Sequence, residues 1–291
     1  MGFSARYHAA SLAAVFLALA VGILIGAGLG SDVVSGTAED LEDSLKSDLT
    51  EARDQIATLE TDLAREREVS GLLYPVVVED RLSGLEVAIV ALGALPEEVT
   101  TNVEAALEPT GASVSSIAVV TEPPDAEGLA DALAGPREGK LPRGTALDRA
   151  AIEAGEAMVR GGREFDAARD VLLERFSGLP GDVDAVVLVR EPPDDLAARV
   201  QDDTERLEAG LIEGMRNAGA TVVGVERSDD EDSSIEFFDG QGVSSVDSVD
   251  LRSGEVALVF ALGGAEGSFG VKESADRLLP DLVAPAAGTG E

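Results

Sequence analysis

Apolar residues are distributed in three successive patterns along the chain. The first is the run at residues 9–30, in which Ser11 is the only polar side chain. About 20 helical residues cross the hydrocarbon core of a bilayer, whereas the apolar part of a secretory signal is only about 7–15 residues long. The run therefore predicts a transmembrane helix that is retained, with a cleaved signal peptide as the alternative.

The charges on the two sides of this run predict its orientation. Arg6 precedes it, and all the charged residues that follow it before Lys46 are acidic. These acidic residues are Asp32, Glu39, Asp40, Glu42 and Asp43. Positively charged flanks stay on the cytoplasmic side. We therefore expect a single-pass cell-membrane protein with residues 1–8 in the cytoplasm and the main domain outside it.

Small residues occupy every fourth position of the same run, so they lie along one face of a helix. They are Ala10, Ala14, Ala18, Gly22, Gly26 and Gly30. Small side chains let helix backbones approach closely in lipid. The stripe predicts a helix–helix contact, although small residues are frequent throughout this chain.

The second pattern is a heptad-like seam in a coiled-coil stalk predicted over residues 31–73. The seam consists of Leu45, Leu49, Ala52, Ile56, Leu59 and Leu63, whose spacings alternate between four and three. This alternation is typical of a coiled coil. About three heptads dimerise weakly, but a neighbouring membrane helix raises their effective concentration. We expect a homo-oligomer, with a solvated stalk that packs on its own domain as the alternative.

The third pattern is a series of short runs rich in Val, Ile and Leu, separated by stretches with helical periodicity. The runs predict strands at 85–93, 114–120, 183–189, 220–225 and 255–264. The helical stretches are 96–107, 126–133, 145–176 and 194–218, and residues 235–253 are expected to be irregular or edge structure. The runs do not alternate between apolar and polar residues, which indicates strands buried on both faces.

Strands that alternate with helices predict an α/β fold, here a Rossmann-like domain with a parallel sheet over residues 74–284. Pro-Pro-Asp follows two of the predicted strands, in "TEPPD" and "REPPD", so Asp125 and Asp194 are expected to cap the next helices. Gly219 is expected to end the second of these helices. Residues 285–291 are expected to be a disordered tail.

The composition removes several classes of function. The net charge of −34 disfavours binding to nucleic acid, because such binding depends on neutralising phosphates. The absence of cysteine excludes disulfides, thiolate metal sites and a cysteine nucleophile. His8 is the sole histidine and precedes the apolar run, so the main domain has no Ser-His-Asp triad. Met158 and Met215 fall in predicted helices and are expected to fill the core. We therefore expect no catalytic residues, no metal ligands and no cofactor.

A glycine-rich loop is the one candidate for phosphate binding. In "ALGGAEGSFGVKES" the loop contains Gly264, Gly267, Gly270 and Lys272, and it follows a predicted strand. Backbone amides in such a loop can hold a phosphate, with Lys272 as its partner. The spacing differs from that of the nucleotide-binding motifs, so a structural loop is the favoured interpretation. Asp247 and Asp250 are expected to be turn or cap residues.

Both ends of the chain carry a family resemblance. The segment "RYHAASLAAVFLALAVGILIGAGLGSD" (6–32), followed by a short coiled coil, resembles the start of the actinobacterial copper transport protein MctB family. The segment "GVSSVDSVDLRSGEVALVFALGGAEGSFGVKESADRLLP" (242–280) is similar to the closing segment of that family. The resemblance implies an envelope protein linked to copper homeostasis or efflux, described in the family as a channel-forming outer-membrane protein.

The leading functional hypothesis is therefore a membrane-anchored envelope protein of the copper transport family that acts through oligomeric assembly and is not an enzyme. Its expected partners are the membrane, further copies of itself and an envelope protein, while copper enters only through the resemblance. Two alternatives remain: an envelope scaffold unrelated to copper, and a nucleotide-binding enzyme domain on a stalk.

Overall fold

The computed structural model describes residues 5–133, 143–193 and 196–282. The chain divides into two compact units, Met1–Arg67 and Glu68–Glu291. Asp194 and the predicted tail at 285–291 lie outside the described residues, as does the start of the predicted cytoplasmic segment.

The first unit is formed by one helix, α1, which begins at Ala5 and ends at Val78 within the second unit. The apolar side chains of its predicted seam are exposed, with exposed fractions from 50% for Leu63 to 68% for Leu59. A single helix of this kind has no core of its own, so its apolar residues remain on the surface.

The predicted transmembrane helix at 9–30 is not supported. Throughout the part of the chain that the structure describes, no helix has the length and the apolar character that are needed to cross a bilayer. The segment is helical, as expected, and belongs to α1.

The second unit alternates strands and helices. The strands are β1 (Glu86–Gly93), β2 (Ser113–Val120), β3 (Leu173–Gly178), β4 (Ala185–Glu191), β5 (Thr221–Val225), β6 (Ser244–Val246) and β7 (Ser268–Phe269). The helices are α2 (Glu97–Leu107), α3 (Ala126–Leu133), α4 (Arg143–Arg160), α5 (Arg163–Leu172), α6 (Ala198–Asn217), α7 (Ile235–Gly240) and α8 (Arg252–Leu262), and a 3-10 turn at Glu108–Thr110 follows α2.

Within the described residues, the seven strands form one sheet in the order β3-β2-β1-β4-β5-β6-β7. All neighbours are parallel except β3, which pairs antiparallel with β2. The chain starts at β1, proceeds outwards through β2 to β3, and then crosses to β4 on the other side of β1. The predicted α/β fold is therefore confirmed, with a sheet that is mostly parallel, and β1 and β4 flank the point at which the strand order reverses.

Two apolar layers cover the two faces of the sheet. On one face, Ala88, Val90 and Leu92 of β1 pack in a cluster with α3, α4, α5 and α6. On the other face, Val87, Ile89 and Ala91 pack with α2, α8 and the end of α1. Strand β1 is thus buried on both faces, as its unbroken run of apolar residues predicts.

The end of α1 is fixed in the second layer by Tyr74. This residue is buried, and its hydroxyl donates a hydrogen bond of 2.7 Å to the carbonyl oxygen of Ala106. Burial is the main cause that raises the pKa of the Tyr74 phenol, so the hydroxyl remains a donor. The last turns of α1 are therefore part of the domain core.

Two of the predicted elements are wrong. The run at 255–264 is not a central strand but lies mostly in helix α8, which is buried on most sides. The single helix predicted over 145–176 is instead α4 and α5, separated at Gly161 and Gly162, followed by the edge strand β3. Both glycines have positive φ, 68° and 88°, which no continuous helix accommodates.

The segment 235–253, expected to be irregular, contains helix α7 and the short strand β6. Other local predictions are confirmed. Asp125 accepts a hydrogen bond of 2.9 Å from the backbone N–H of Gly128 in the first turn of α3. Gly219 follows α6 with a φ of 99° and so ends that helix in the left-handed region.

Candidate functional site

Acidic residues stand at the carboxyl ends of four parallel strands. Glu122 follows β2, Glu191 ends β4, Glu226 follows β5 and Asp247 follows β6. Because these strands are parallel, all four carboxyl groups lie along one edge of the sheet. This edge is where open α/β sheets bind ligands. We divide it into the switch-point crevice, around Glu122 and Glu191, and the closed half, around Glu226 and Asp247.

The switch-point crevice is a cavity of about 470 Å³ between the ends of β1, β2 and β4. Acidic and basic side chains share its lining with apolar groups. The lining residues are Gly93, Ala94, Leu95, Val119, Val120, Glu122, Glu174, Arg175, Glu191, Pro192 and Pro193.

Gly93 makes room for this cavity at the end of β1. Its φ is 89°, and a Cβ built on it would overlap the carbonyl oxygen of Glu191. The same Cβ would lie 3.2 Å from Oε2 of Glu122. Only glycine combines this backbone conformation with such a close approach of β4.

Glu122 is the most unusual side chain of the crevice. Both its carboxyl oxygens are buried, and neither has a hydrogen-bond partner among the described residues. Burial, reinforced by the negative charge of Glu208 and partly offset by the positive charge of Arg190, raises the pKa of Glu122 to about 8. The group is therefore predominantly a neutral carboxylic acid at pH 7, and it can donate or accept a hydrogen bond.

An ion pair lies close enough to Glu122 to influence its charge. Arg190 of β4 donates two hydrogen bonds, both of 3.0 Å, to the carboxylate of Glu208 on α6. The guanidinium also lies 4.1 Å from the ring centroid of Phe237. Glu208 is fully buried, and this bidentate pairing satisfies its charge. The pair is therefore structural, and it leaves Glu122 as the unpaired acid.

In the closed half of the edge, the acidic side chains are paired with neighbouring groups of the same domain. The carboxylate of Glu226 receives a bond of 2.9 Å from the hydroxyl of Ser233 and one of 2.7 Å from the backbone N–H of Ser234. The ammonium of Lys272 completes the set, 2.8 Å from Glu226 and 2.9 Å from the carbonyl oxygen of Asp230.

The side chain of Asp247 lies within the glycine-rich loop. Its buried carboxylate accepts bonds of 2.8 Å from the backbone N–H groups of Val271 and Lys272. A Cβ at Gly270 would overlap this carboxylate, and the φ of Gly270 is 148°. Two consecutive amides are the usual way in which a loop holds an anion. Here the anion is a side chain of the same domain.

The residues of the predicted phosphate loop are therefore engaged within the fold. Gly264 and Gly267 also have positive φ, but the loop follows helix α8 and contains β7, so the expected context of a strand before the loop is wrong. Lys272 is paired with Glu226 rather than open to a ligand. Asp250 accepts bonds from the backbone and hydroxyl of Ser228, in keeping with the predicted role in a turn.

The predicted membrane-helix and seam residues lie on α1. Ala14, Ala18, Gly22 and Gly26 are exposed on this helix, and a Cβ at Gly22 or Gly26 would meet no atom within 4 Å. The surroundings of Gly30 lie outside the described part of the chain. The contacts predicted for both sets therefore remain predictions.

The sequence contains a signal for the crevice beyond the capping role predicted for its aspartates. The motif Glu-Pro-Pro-Asp occurs twice, with Glu122 after β2 and Glu191 at the end of β4. Since β2 and β4 are the two neighbours of β1, the repeat places one glutamate on each side of the reversal point. The prolines stop each strand at the same edge, because proline cannot donate to the sheet.

The chemistry available at the edge is proton exchange and ion pairing. Among residues 5–133, 143–193 and 196–282, no group of three or more His, Asp or Glu side chains is arranged to hold a metal ion. Glu122 is the one acid whose oxygens are both buried and unpaired in that part of the chain.

Comparison with known proteins identifies the family. No curated protein matches the sequence. The family described as "Copper transport outer membrane protein, MctB" matches over residues 3–161 and 167–280, which includes both segments that carry the resemblance noted above. Because the match covers nearly the whole chain, the protein belongs to the MctB family of copper transport outer membrane proteins.

Proposed function

We propose that this protein serves copper homeostasis or efflux in the cell envelope as a non-enzymatic component that assembles into oligomers through helix α1. The family supports the link to copper transport and to the envelope. The observation that carries the assembly mechanism is the exposed apolar seam of α1.

The seam has the features of an unoccupied helix interface. Its leucine and isoleucine side chains are at least half exposed, although each would gain from burial. Charged pairs such as Lys46–Glu42 and Arg65–Asp62 lie on the same helix and are exposed to solvent. A second copy of the helix would cover the leucines and leave these charges in water, as in a coiled coil.

The N-terminal part of α1 supports attachment to the envelope membrane. Large apolar side chains between residues 12 and 25 are exposed on all sides of the helix, among them Leu12, Val15, Leu24 and Ile25. Apolar contact with lipid is one way to bury them. We propose that this segment associates with the membrane, that Gly22 and Gly26 pack helix against helix there, and that the α/β domain lies outside the cytoplasm.

Assembly is tested by placing charge in the seam. The double variant Leu49→Glu and Ile56→Glu puts two carboxylates where a second helix would pack, and we expect it to shift the full-length protein in detergent from oligomer to monomer in analytical ultracentrifugation. The matched control is Ser47→Glu with Thr61→Glu, which adds the same charge on the opposite side of the helix. An oligomer that persists equally in both variants would rule out the seam as the interface.

The link to copper is tested in cells. A deletion strain grown under copper stress should accumulate copper, and the full-length protein should restore the normal content. The seam variant should fail to restore it while the control succeeds. Unchanged copper in the deletion strain would contradict the copper function and favour an envelope scaffold, whatever the oligomeric state.

A further inference from the structure

We propose that the switch-point crevice binds a small organic molecule that carries an ammonium group, and that this ammonium pairs with the ionised carboxylate of Glu122. The proposal is independent of the assembly function of α1. It concerns an edge of the sheet for which the family description names no ligand.

The position of the cavity is the first argument. Open α/β sheets bind their ligands at the carboxyl ends of the strands where the strand order reverses. The cavity between β1, β2 and β4 lies at this point, and its volume of about 470 Å³ is in the range of small-molecule sites. The equivalent space at β5 and β6 is filled by Lys272 and the glycine-rich loop.

The charge of the lining selects a cation. Glu174 and Glu191 contribute acidic groups, Glu122 adds a third negative charge when it ionises, and Arg175 is the basic residue among the lining side chains. The first turn of the adjacent helix α2 also begins with two glutamates, Glu97 and Glu98. A phosphate or carboxylate ligand would face repulsion from these groups, whereas a cation would be attracted.

The state of Glu122 indicates where the cation binds. A buried polar group without a partner is costly and rare in folded proteins. Both oxygens of Glu122 are in this state, and Glu122 is one of the residues that line the cavity. An ammonium group offers three donors, so it can satisfy these oxygens and form a charge-assisted hydrogen bond.

The other charged groups near Glu122 have different roles. Arg190 and Glu208 satisfy each other, so neither is available to the ligand. Glu191 lies across β1 from Glu122, and its own pKa is raised by burial and by Asp230, with Arg227 acting in the opposite direction. Glu191 is therefore placed to receive the second charge of a diamine. The apolar lining from Leu95, Pro192 and Pro193 suits the alkyl chain between the two charges.

Ligand binding is coupled to the release of a proton from Glu122. Below pH 8 the Glu122 carboxyl holds its proton, and a bound ammonium stabilises the ionised form instead. The proton passes to the solvent as the ligand enters, so about one proton leaves for each ligand bound at pH 7. Attraction of a cation to the general acidic surface would not release this proton.

The test uses the full-length protein and putrescine, a diamine with a short alkyl chain. Binding is measured by isothermal titration calorimetry at pH 7 in about 0.15 M salt, which screens the exposed charges. Repeating it in two buffers of different ionisation enthalpy measures the protons released. We expect saturable binding with the release of close to one proton, and a smaller release at pH 9.5.

The variant Glu122→Gln keeps the shape and the neutral state of the side chain but cannot ionise. We expect it to weaken putrescine binding at least about tenfold and to abolish proton release. The matched control Glu236→Gln removes an exposed carboxylate on α7 and should leave both unchanged.

Three results would overturn the proposal. One is the absence of saturable binding to the wild-type protein, and another is binding without proton release at pH 7. The third is an equal affinity of the Glu122→Gln and Glu236→Gln variants, which would mark putrescine as a counter-ion of the acidic surface.

Discussion

The carboxyl ends of the parallel strands form one edge of the sheet, and its two halves are the switch-point crevice and the closed half. Both halves carry buried acidic residues, but in opposite states. Asp247 and Glu226 are buried with two and three partners, and their charges are satisfied. Glu122 is buried at the same edge, but its oxygens are unpaired and its pKa is raised to about 8. The protein therefore has the means to pair a buried carboxylate, and it does so for Glu226 and Asp247 but not for Glu122.

The difference shows what separates a structural acid from a candidate binding group. In the closed half, backbone amides and Lys272 stand in for an external ligand. In the crevice, the space that such partners would fill is open. The same substitution, carboxyl to carboxamide, should consequently have opposite effects on stability in the two halves.

The largest expected effect is on the pH dependence of stability through Glu122. Its pKa rises from 4.5 to about 8 on folding, so the folded state holds a proton that the unfolded state loses, and stability falls as the pH rises between these values. We expect Glu122→Gln to match the wild type near pH 4.5 and to be more stable at pH 9 by up to about 5 kcal/mol, at about 1.4 kcal/mol for each pH unit between the two pKa values. Urea denaturation across this range measures it. A constant difference between the two proteins would contradict the raised pKa.

The second effect is the loss of the internal anion. In Asp247→Asn, one of the two backbone N–H groups at Val271 and Lys272 loses its acceptor, and the new amide donor has no acceptor opposite it. We expect a destabilisation of about 2–3 kcal/mol. The matched control is Asp276→Asn, an exposed aspartate just after this loop, which should change the unfolding free energy by less than about 0.5 kcal/mol. Equal losses in both would mean that the loop does not depend on Asp247.

The third effect is the removal of the buried cation. Lys272→Met keeps the length of the side chain but leaves Glu226 with only Ser233 and Ser234. We expect a destabilisation of about 1–2 kcal/mol, below the roughly 3–5 kcal/mol typical of breaking a buried ion pair, because Glu226 retains these two donors. Adding Glu226→Gln to this variant should recover part of the loss in a thermodynamic cycle. No recovery would indicate that Lys272 acts through its carbonyl partner Asp230.

Much of the fold follows from local patterns. Four of the five predicted strands are present because β1, β2, β4 and β5 are β-branched runs bounded by turns. The prediction of a strand at 255–264 was wrong because an unbroken apolar run is compatible with either a buried strand or a buried helix. Its Ala and Leu content and the following Gly263-Gly264 were signals for the helix.

The candidate site could be predicted only in part. The Glu-Pro-Pro-Asp repeat marks both strand ends, but its meaning depends on the order β2-β1-β4, which no local pattern contains. Lys272 pairs with Glu226, which is distant in sequence, so only the folded structure reveals this ion pair. The pairing of Asp247 with the glycine-rich loop was not predictable for the same reason, since Asp247 reaches the loop only through the sheet.

The two outermost strands of the sheet, β3 and β7, also bear on how this domain avoids aggregation. An edge strand with unpaired backbone groups is a template for other chains. On one side the sheet ends in β3, short and antiparallel, with the exposed charges of Glu174 and Arg175. On the other, β7 has two residues, and Ser268 and Gly270 already pair with the backbone of the segment that contains Arg277. A domain crowded beside identical copies in an oligomer would thus meet its neighbours with its sheet edges blocked.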